Sequence, residues 1–330
     1  FSEGGRLYFY NIQSFVAYIK ANRCSVSCML SFLIHALLGC SLLVPAALAN
    51  EYYPGGKSST KKSGSNAFSM PSSNMSLIRR LDFSVGNSFF RNPWVIAPAT
   101  TTARDGLGPL FNTNSCQACH IKDGRGHAPE GPVDSADSML VRLSIPAETE
   151  AEKMHVKKNG IIPEPVYGGQ LQDRAIPGLV PEGRISVQWQ VKEISLGDDE
   201  VYALRYPKIE LVDLKYGPLA PNSQVSPRVA PPMIGLGLLE AIPQSEILAN
   251  QDLHDTNHDG ISGKANRVWD RVTKTTTLGR FGWKAGQPSL MQQNAAAFNG
   301  DLGLTNHLFP VEACTKYPAF CHAGAGEDEF

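Results

Sequence analysis

Two cysteines two residues apart, with a histidine directly after them, constrain this chain more than any other stretch: Cys116-Gln117-Ala118-Cys119-His120. Two thiols on one short turn can add to the two vinyl groups of a single porphyrin. The adjacent imidazole then lies beneath the iron as its proximal ligand. Half a zinc site and a redox-active dithiol share the spacing. A structural zinc site needs a second Cys/His pair, and the sequence offers none. A thioredoxin-like dithiol belongs in a βαβ pattern, whereas this motif lies in a polar, glycine-rich stretch. Covalent haem c, one per chain, is the reading that the spacing favours, with Cys116, Cys119 and His120 as the attachment residues.

The chain has 330 residues, 42% hydrophobic and 18% charged, which is enough for one or two domains with their own cores. A formal net charge of -1 argues against a polyanionic partner, so nucleic acid is not expected. Of the other cysteines, Cys24, Cys28 and Cys40 lie in or before an apolar run. Cys314 and Cys321 bracket a short loop and would form a disulfide in an oxidising compartment, two buried thiols being the alternative.

The apolar run is Met29 to Ala49, ending in Ala47-Leu48-Ala49 before Asn50. It reads as an export signal, or as a membrane anchor if left uncleaved. Residues 1–28 form an uncertain upstream extension, and translation could start at Met29. Export to the periplasm agrees with haem c, which is attached outside the bacterial cytoplasm. Residues 50–76 read as a flexible linker. A haem domain is expected over 77–330, opening on a short helix at 77–91. Alternation of Ile185, Val187, Trp189 and Val191, then of Ile209 and Leu211, predicts a β insertion at about 185–214. Residues 233–250 and 288–298 have helical character. The fold class expected is mainly α: a cytochrome c-like haem domain with long loops and a small β insertion.

The sixth iron position separates electron transfer from catalysis. Met139, Met154, Met233, His127 and His155 are candidates by residue type alone. Arg125, just past the motif, is a candidate partner for a haem propionate. Glu240 sits in the apolar run 235–242, where a buried carboxylate would have a raised pKa and could handle protons. Asp255-Thr256-Asn257-His258-Asp259-Gly260-Ile261 resembles the first half of a calcium loop, with side-chain oxygens from Asp255, Asn257 and Asp259 and the carbonyl of Ile261. The twelfth position is Asn266 rather than glutamate, so a bidentate ligand would have to come from elsewhere, such as Asp270.

The segments GLGPLFNTNSCQACHIKDGRG, PPMIGLGLLEAIP, DTNHDGISGKANRVWD and GRFGWKAGQPSLMQQNAAAFNGDLGLT together span roughly residues 80–315. In combination they resemble the di-haem oxidoreductases related to bacterial di-haem cytochrome c peroxidases. The resemblance implies reduction of peroxide, or of another oxidant, with electrons from a small redox protein. They would pass through a second haem domain expected after residue 330, since these 330 residues hold one C-x-x-C-H and read as truncated at the C-terminus. It also implies calcium, and it places Gln293 and Asp301 where those relatives carry a distal glutamine and glutamate. Aspartate is one methylene shorter than glutamate, and its interval from Gln293 is shorter too. An electron-carrying cytochrome without a catalytic distal site is the other reading.

Overall fold

The computed structural model describes residues 55–131, 137–195 and 200–313. Residues 55–59 and 72–74 belong to one small unit, in which the Ser73 amide bonds the Ser58 carbonyl. The remaining described residues form the second unit, which carries every element named below.

Its helices are α1 (Leu77–Arg91), α2 (Cys116–Cys119), α3 (Glu150–Asn159), α4 (Leu236–Ala241), α5 (Gln244–Ala249) and α6 (Leu290–Leu302). The strands are β1 (Leu110–Phe111), β2 (Met139–Ser144), β3 (Arg174–Ala175), β4 (Arg184–Ser195), β5 (Val201–Val212), β6 (Gln224–Val229), β7 (Arg267–Asp270) and β8 (Thr275–Leu278). They pair antiparallel as β1–β3, β2–β6, β4–β5 and β7–β8.

The expectation of a mainly α cytochrome fold is therefore wrong. Among the described residues, six α-helices stand beside four two-stranded sheets. The reason lies in the apolar periodicity. Met139, Val141 and Leu143 of β2 face inward while Leu140, Arg142 and Ser144 do not, which is the period of two of a half-buried strand. The helical stretch 233–250 breaks into two six-residue helices, because Pro243 cannot continue α4. The alternation over 185–214 falls on β4 and β5, whose register runs from Arg184↔Val212 to Ser195↔Val201. Helix α3 carries a capping box, Thr149 with Glu152. No helix among the described residues is long and apolar enough to cross a membrane. The apolar run 29–49 lies outside the described residues, as do Cys314 and Cys321.

The larger core joins Met139, Val141, Leu143, Tyr167, Leu171, Ile185 and Val187. The smaller one joins Trp94, Leu107, Leu302 and Leu304. Glu164 is fully buried and organises the loops over the larger core. Its Oε2 accepts from the Val166 and Tyr167 amides, both at 2.7 Å, and its Oε1 from the Ala220 amide at 2.9 Å. A buried carboxylate is tolerated when backbone donors satisfy it in this way.

At the end of α6 the chain turns on Gly303, with φ at +69°. Gly108 presses against this turn, and a Cβ on Gly108 would lie 2.3 Å from the Gly303 carbonyl oxygen. Only glycine permits that approach. It lets the Gly108 amide bond the Leu302 carbonyl at 3.0 Å, and the Asn112 and Thr113 amides bond the Asp301 carbonyl at 2.9 and 3.1 Å.

Glu182 is also buried, with Oε2 accepting from the Gln172 amide at 2.6 Å. Burial pushes its pKa up to about 8. The folded chain thus keeps a proton that the unfolded chain loses near pH 4.5. This contribution is full below the unfolded value and is lost as pH rises through about 8, at no more than about 1.4 kcal/mol per pH unit. The melting temperature of the wild-type chain is expected to fall between pH 5 and pH 8. Glu182→Gln keeps the acceptor but carries no titratable proton, so it should flatten that decline and raise the melting temperature at pH 8. An unchanged slope in a thermal-melt series over this range would remove Glu182 as its source.

Candidate haem site

Helix α2 is a single turn, entered from extended Ser115 and closed by the His120 amide on the Cys116 carbonyl at 2.9 Å. Cys116 and Cys119 are free, partly buried thiols on that turn. The Cys119 thiol donates to the Asp137 carbonyl at 2.7 Å, and Asp137 is ion-paired with Arg174. Burial first, and the negative charge of Asp301 second, push both thiols up to about 12. Zinc binding and dithiol exchange both require thiolates, which this environment disfavours. A thioether carries no such charge.

The histidine is held in one orientation by a backbone carbonyl. Its Nδ1 lies 2.7 Å from the Pro231 carbonyl oxygen. A carbonyl only accepts, so Nδ1 carries the proton and Nε2 keeps its lone pair, the orientation that an outer hydrogen bond imposes on a ligating imidazole. Burial holds the His120 pKa below its ordinary value, which keeps the ring neutral. The Phe90 ring lies 6.2 Å from the imidazole between centroids. Two adjacent residues, Lys122 and Asp123, take positive φ immediately after the motif and turn the chain back. The Met233 and Gly126 amides then bond the Asp123 and Ala230 carbonyls. These bonds hold segment 230–233 against the motif. Two thiols on one turn with a neutral, Nδ1-tethered imidazole fit a covalently attached haem.

The fold brings Asp301 close enough to act electrostatically on Cys116, Cys119 and His120. It does not bring Gln293 with it. The two share α6 but stand eight residues apart, about 12 Å along the axis, and the Gln293 side chain lies by Gly282. Glu240 is exposed, and its Oε1 accepts from the Leu290 amide at 2.8 Å, capping the start of α6. Arg125 is exposed and lies over the Trp283 ring at 5.8 Å. Met139 is core, Met154 is exposed on α3, His155 meets Asn159, and His127 is exposed.

In the 255–261 loop the oxygens bond the loop's own backbone. Asp255 accepts from the Asp259 and Gly260 amides, and Asp259 accepts from the Ile261 amide. Among the described residues no group of three or more His, Cys, Asp or Glu side chains is placed to hold a metal ion.

Sequence reasoning missed the buried amides behind Asp301. Gln170 Nε2 donates to Asp301 Oδ1 at 2.9 Å, to the Gly300 carbonyl at 3.0 Å and to Asn112 Oδ1 at 2.6 Å. Asn112 Nδ2 in turn donates to Asp173 Oδ1 at 2.9 Å. Nothing in the local sequence marks Gln170 as buried, and its partners are 58 and 131 residues away.

A family model described as "Di-haem oxidoreductase, putative peroxidase" matches residues 51–323. No curated protein and no solved structure matches the chain. The geometry predicts sluggish thiols. In the haem-free chain at pH 8, alkylation by iodoacetamide should be at least tenfold slower than for a free cysteine, and Asp301→Asn should speed it. A mass-spectrometric time course reads both rates.

Proposed function

The chain belongs to the di-haem oxidoreductase family, and from that premise we propose that it is an exported haem c enzyme that reduces peroxide. The observation that carries the reading is the tethered imidazole: His120 Nδ1 on the Pro231 carbonyl, with both thiols one turn away. Cys116 and Cys119 would hold the porphyrin as thioethers and His120 would ligate its iron. A haem held there supplies a redox-active iron with a further coordination position for the oxidant. Export rests on the apolar run 29–49, and the periplasm is where such a haem is attached.

Reducing a peroxide to water consumes two electrons and two protons. A small redox protein would supply the electrons, and a second haem of the kind the family description implies would relay them. Asp301 handles a proton in this reading. Its carboxylate is near His120 in charge terms, and the Gln170 amide holds Oδ1 in place. A carboxylate fixed in this way can take a proton from one peroxide oxygen and return it to the departing one. Gln293, 12 Å or so along α6, and the exposed cap Glu240 have no part in that transfer.

Calcium belongs to the same proposal, at Asp255, Asn257, Asp259 and the Ile261 carbonyl. The 1-3-5 order of oxygen side chains and the turn at Gly260, with φ at +81°, support it. Chelation is expected to lower the melting temperature and release bound metal. If neither changes, calcium drops out of the reading.

The main test uses protein made in a host with a cytochrome maturation system. The denatured wild-type band should keep its haem colour, and a Cys116→Ala/Cys119→Ala variant should lose it. Asp301→Asn should slow the peroxide-induced Soret change about a hundredfold while the resting ferric spectrum stays the same. An unchanged rate would end the role given to Asp301. A low-spin His/Met ferric spectrum would favour the electron carrier instead.

A further inference from the structure

We propose that Arg142 and Arg228 form the anchor for the haem propionates. The proposal rests on the reading that haem is attached at Cys116 and Cys119. Arg142 is on β2 and Arg228 on β6, in a register that pairs Arg142 with Ser226 and Leu140 with Arg228. The arginines are therefore diagonal neighbours on one face of the ribbon, the face turned away from Met139, Val141 and Leu143. Both are partly buried. Burial, and then the charge of Arg142, draw the Arg228 pKa below its ordinary value, so two cations face each other across the ribbon.

Among the described residues neither arginine takes part in an ion pair, and neither side chain is hydrogen-bonded; the six ion pairs all involve other cations. Two adjacent, partly desolvated guanidinium groups without an anion are unfavourable. Arginine presents a planar fork of donors that matches a carboxylate.

A second, independent observation points to the same place. Gln170 is only 2% exposed, and its Oε1 is buried with no hydrogen-bond partner. Both Oε1 and the Arg142 guanidinium converge on the bare Cα of Gly300: a Cβ there would lie 3.6 Å from Gln170 Oε1 and 3.7 Å from Arg142 Nη1. Gly300 precedes Asp301, whose charge acts on all three attachment residues. Gly126 links the start of the ribbon to the motif, because a Cβ there would lie 2.5 Å from Ser138, just before β2, and 2.8 Å from the Cys119 carbonyl oxygen, and the Ala230 amide just after β6 bonds the Ser138 carbonyl. The site thus offers guanidinium donors and one orphaned acceptor. It suits a carboxyl group that is ionised toward the arginines or, in its protonated form, donates to Gln170. The propionates are the carboxylates that a haem fixed at this motif would carry.

The test compares haem-loaded wild type with Arg142→Gln/Arg228→Gln and Arg142→Lys/Arg228→Lys. Loss of two positive charges should lower the haem midpoint potential and shift the propionate bending bands in the resonance Raman spectrum, with colour retained on the denatured band. The lysine pair should restore most of the potential while leaving the Raman bands shifted, because it keeps charge without the planar fork. A coloured band with unchanged potential and Raman bands in the glutamine pair overturns the arginine assignment alone. A colourless wild-type band overturns the haem reading and this proposal with it. A wild-type potential that follows added inorganic phosphate, with that response lost in the glutamine pair, assigns the arginines to a free oxyanion and also overturns it.

Discussion

The seam between the end of α6 and segment 108–113 is the contact on which the candidate site depends. Gly108 and Gly303 approach so closely that neither tolerates a side chain. Three backbone hydrogen bonds close the seam, from Gly108, Asn112 and Thr113 to the carbonyls of Leu302 and Asp301. Segment 108–113 leads directly into the turn that carries Cys116, Cys119 and His120, so the seam places a carboxylate from residue 301 beside a motif near residue 118. Leu302 and Leu304 then bury themselves against Trp94 and Leu107. That burial stabilises the seam in a way a few hydrogen bonds alone would not.

The electrostatics around the motif follow from this placement. A carboxylate near two partly buried thiols keeps them protonated, whereas the same carboxylate favours a proton on the imidazole. Burial outweighs the latter effect and leaves His120 neutral. The Pro231 carbonyl selects the nitrogen that holds its proton. On the β2–β6 ribbon, Arg142 and Arg228 have no carboxylate partner among the described residues. The structure thus sets negative charge and a neutral imidazole at the motif, and brings the Arg142 guanidinium to Gly300, the residue before Asp301.

Some elements were legible because their signals are local. Helix α1 begins at Leu77 as its apolar positions predict, and the alternation around Ile185 and Val187 falls on β4. The capping box Thr149-x-x-Glu152 was also present in the sequence and would have announced α3. A haem motif suggests a helical surround, whereas the residues after it alternate with the period of strands, and so the mainly α expectation fails. Sequence reasoning missed strands β7 and β8, whose local signal is Val268 and Trp269 followed by a run of threonines. The pairing of Gln293 with Asp301 was drawn from resemblance alone, and helical rise along α6 separates them.

The sequence by itself determined which reactive groups meet at the motif: two thiols and an imidazole within five residues, because covalent spacing on a single turn keeps them together. Only the tertiary structure decided what surrounds it. Asp301, Gln170, Asn112, Arg142 and Pro231 meet across separations of tens to more than a hundred residues. Their company depends on backbone approaches at Gly108 and Gly303 and on strand register, neither of which any local window of residue types encodes.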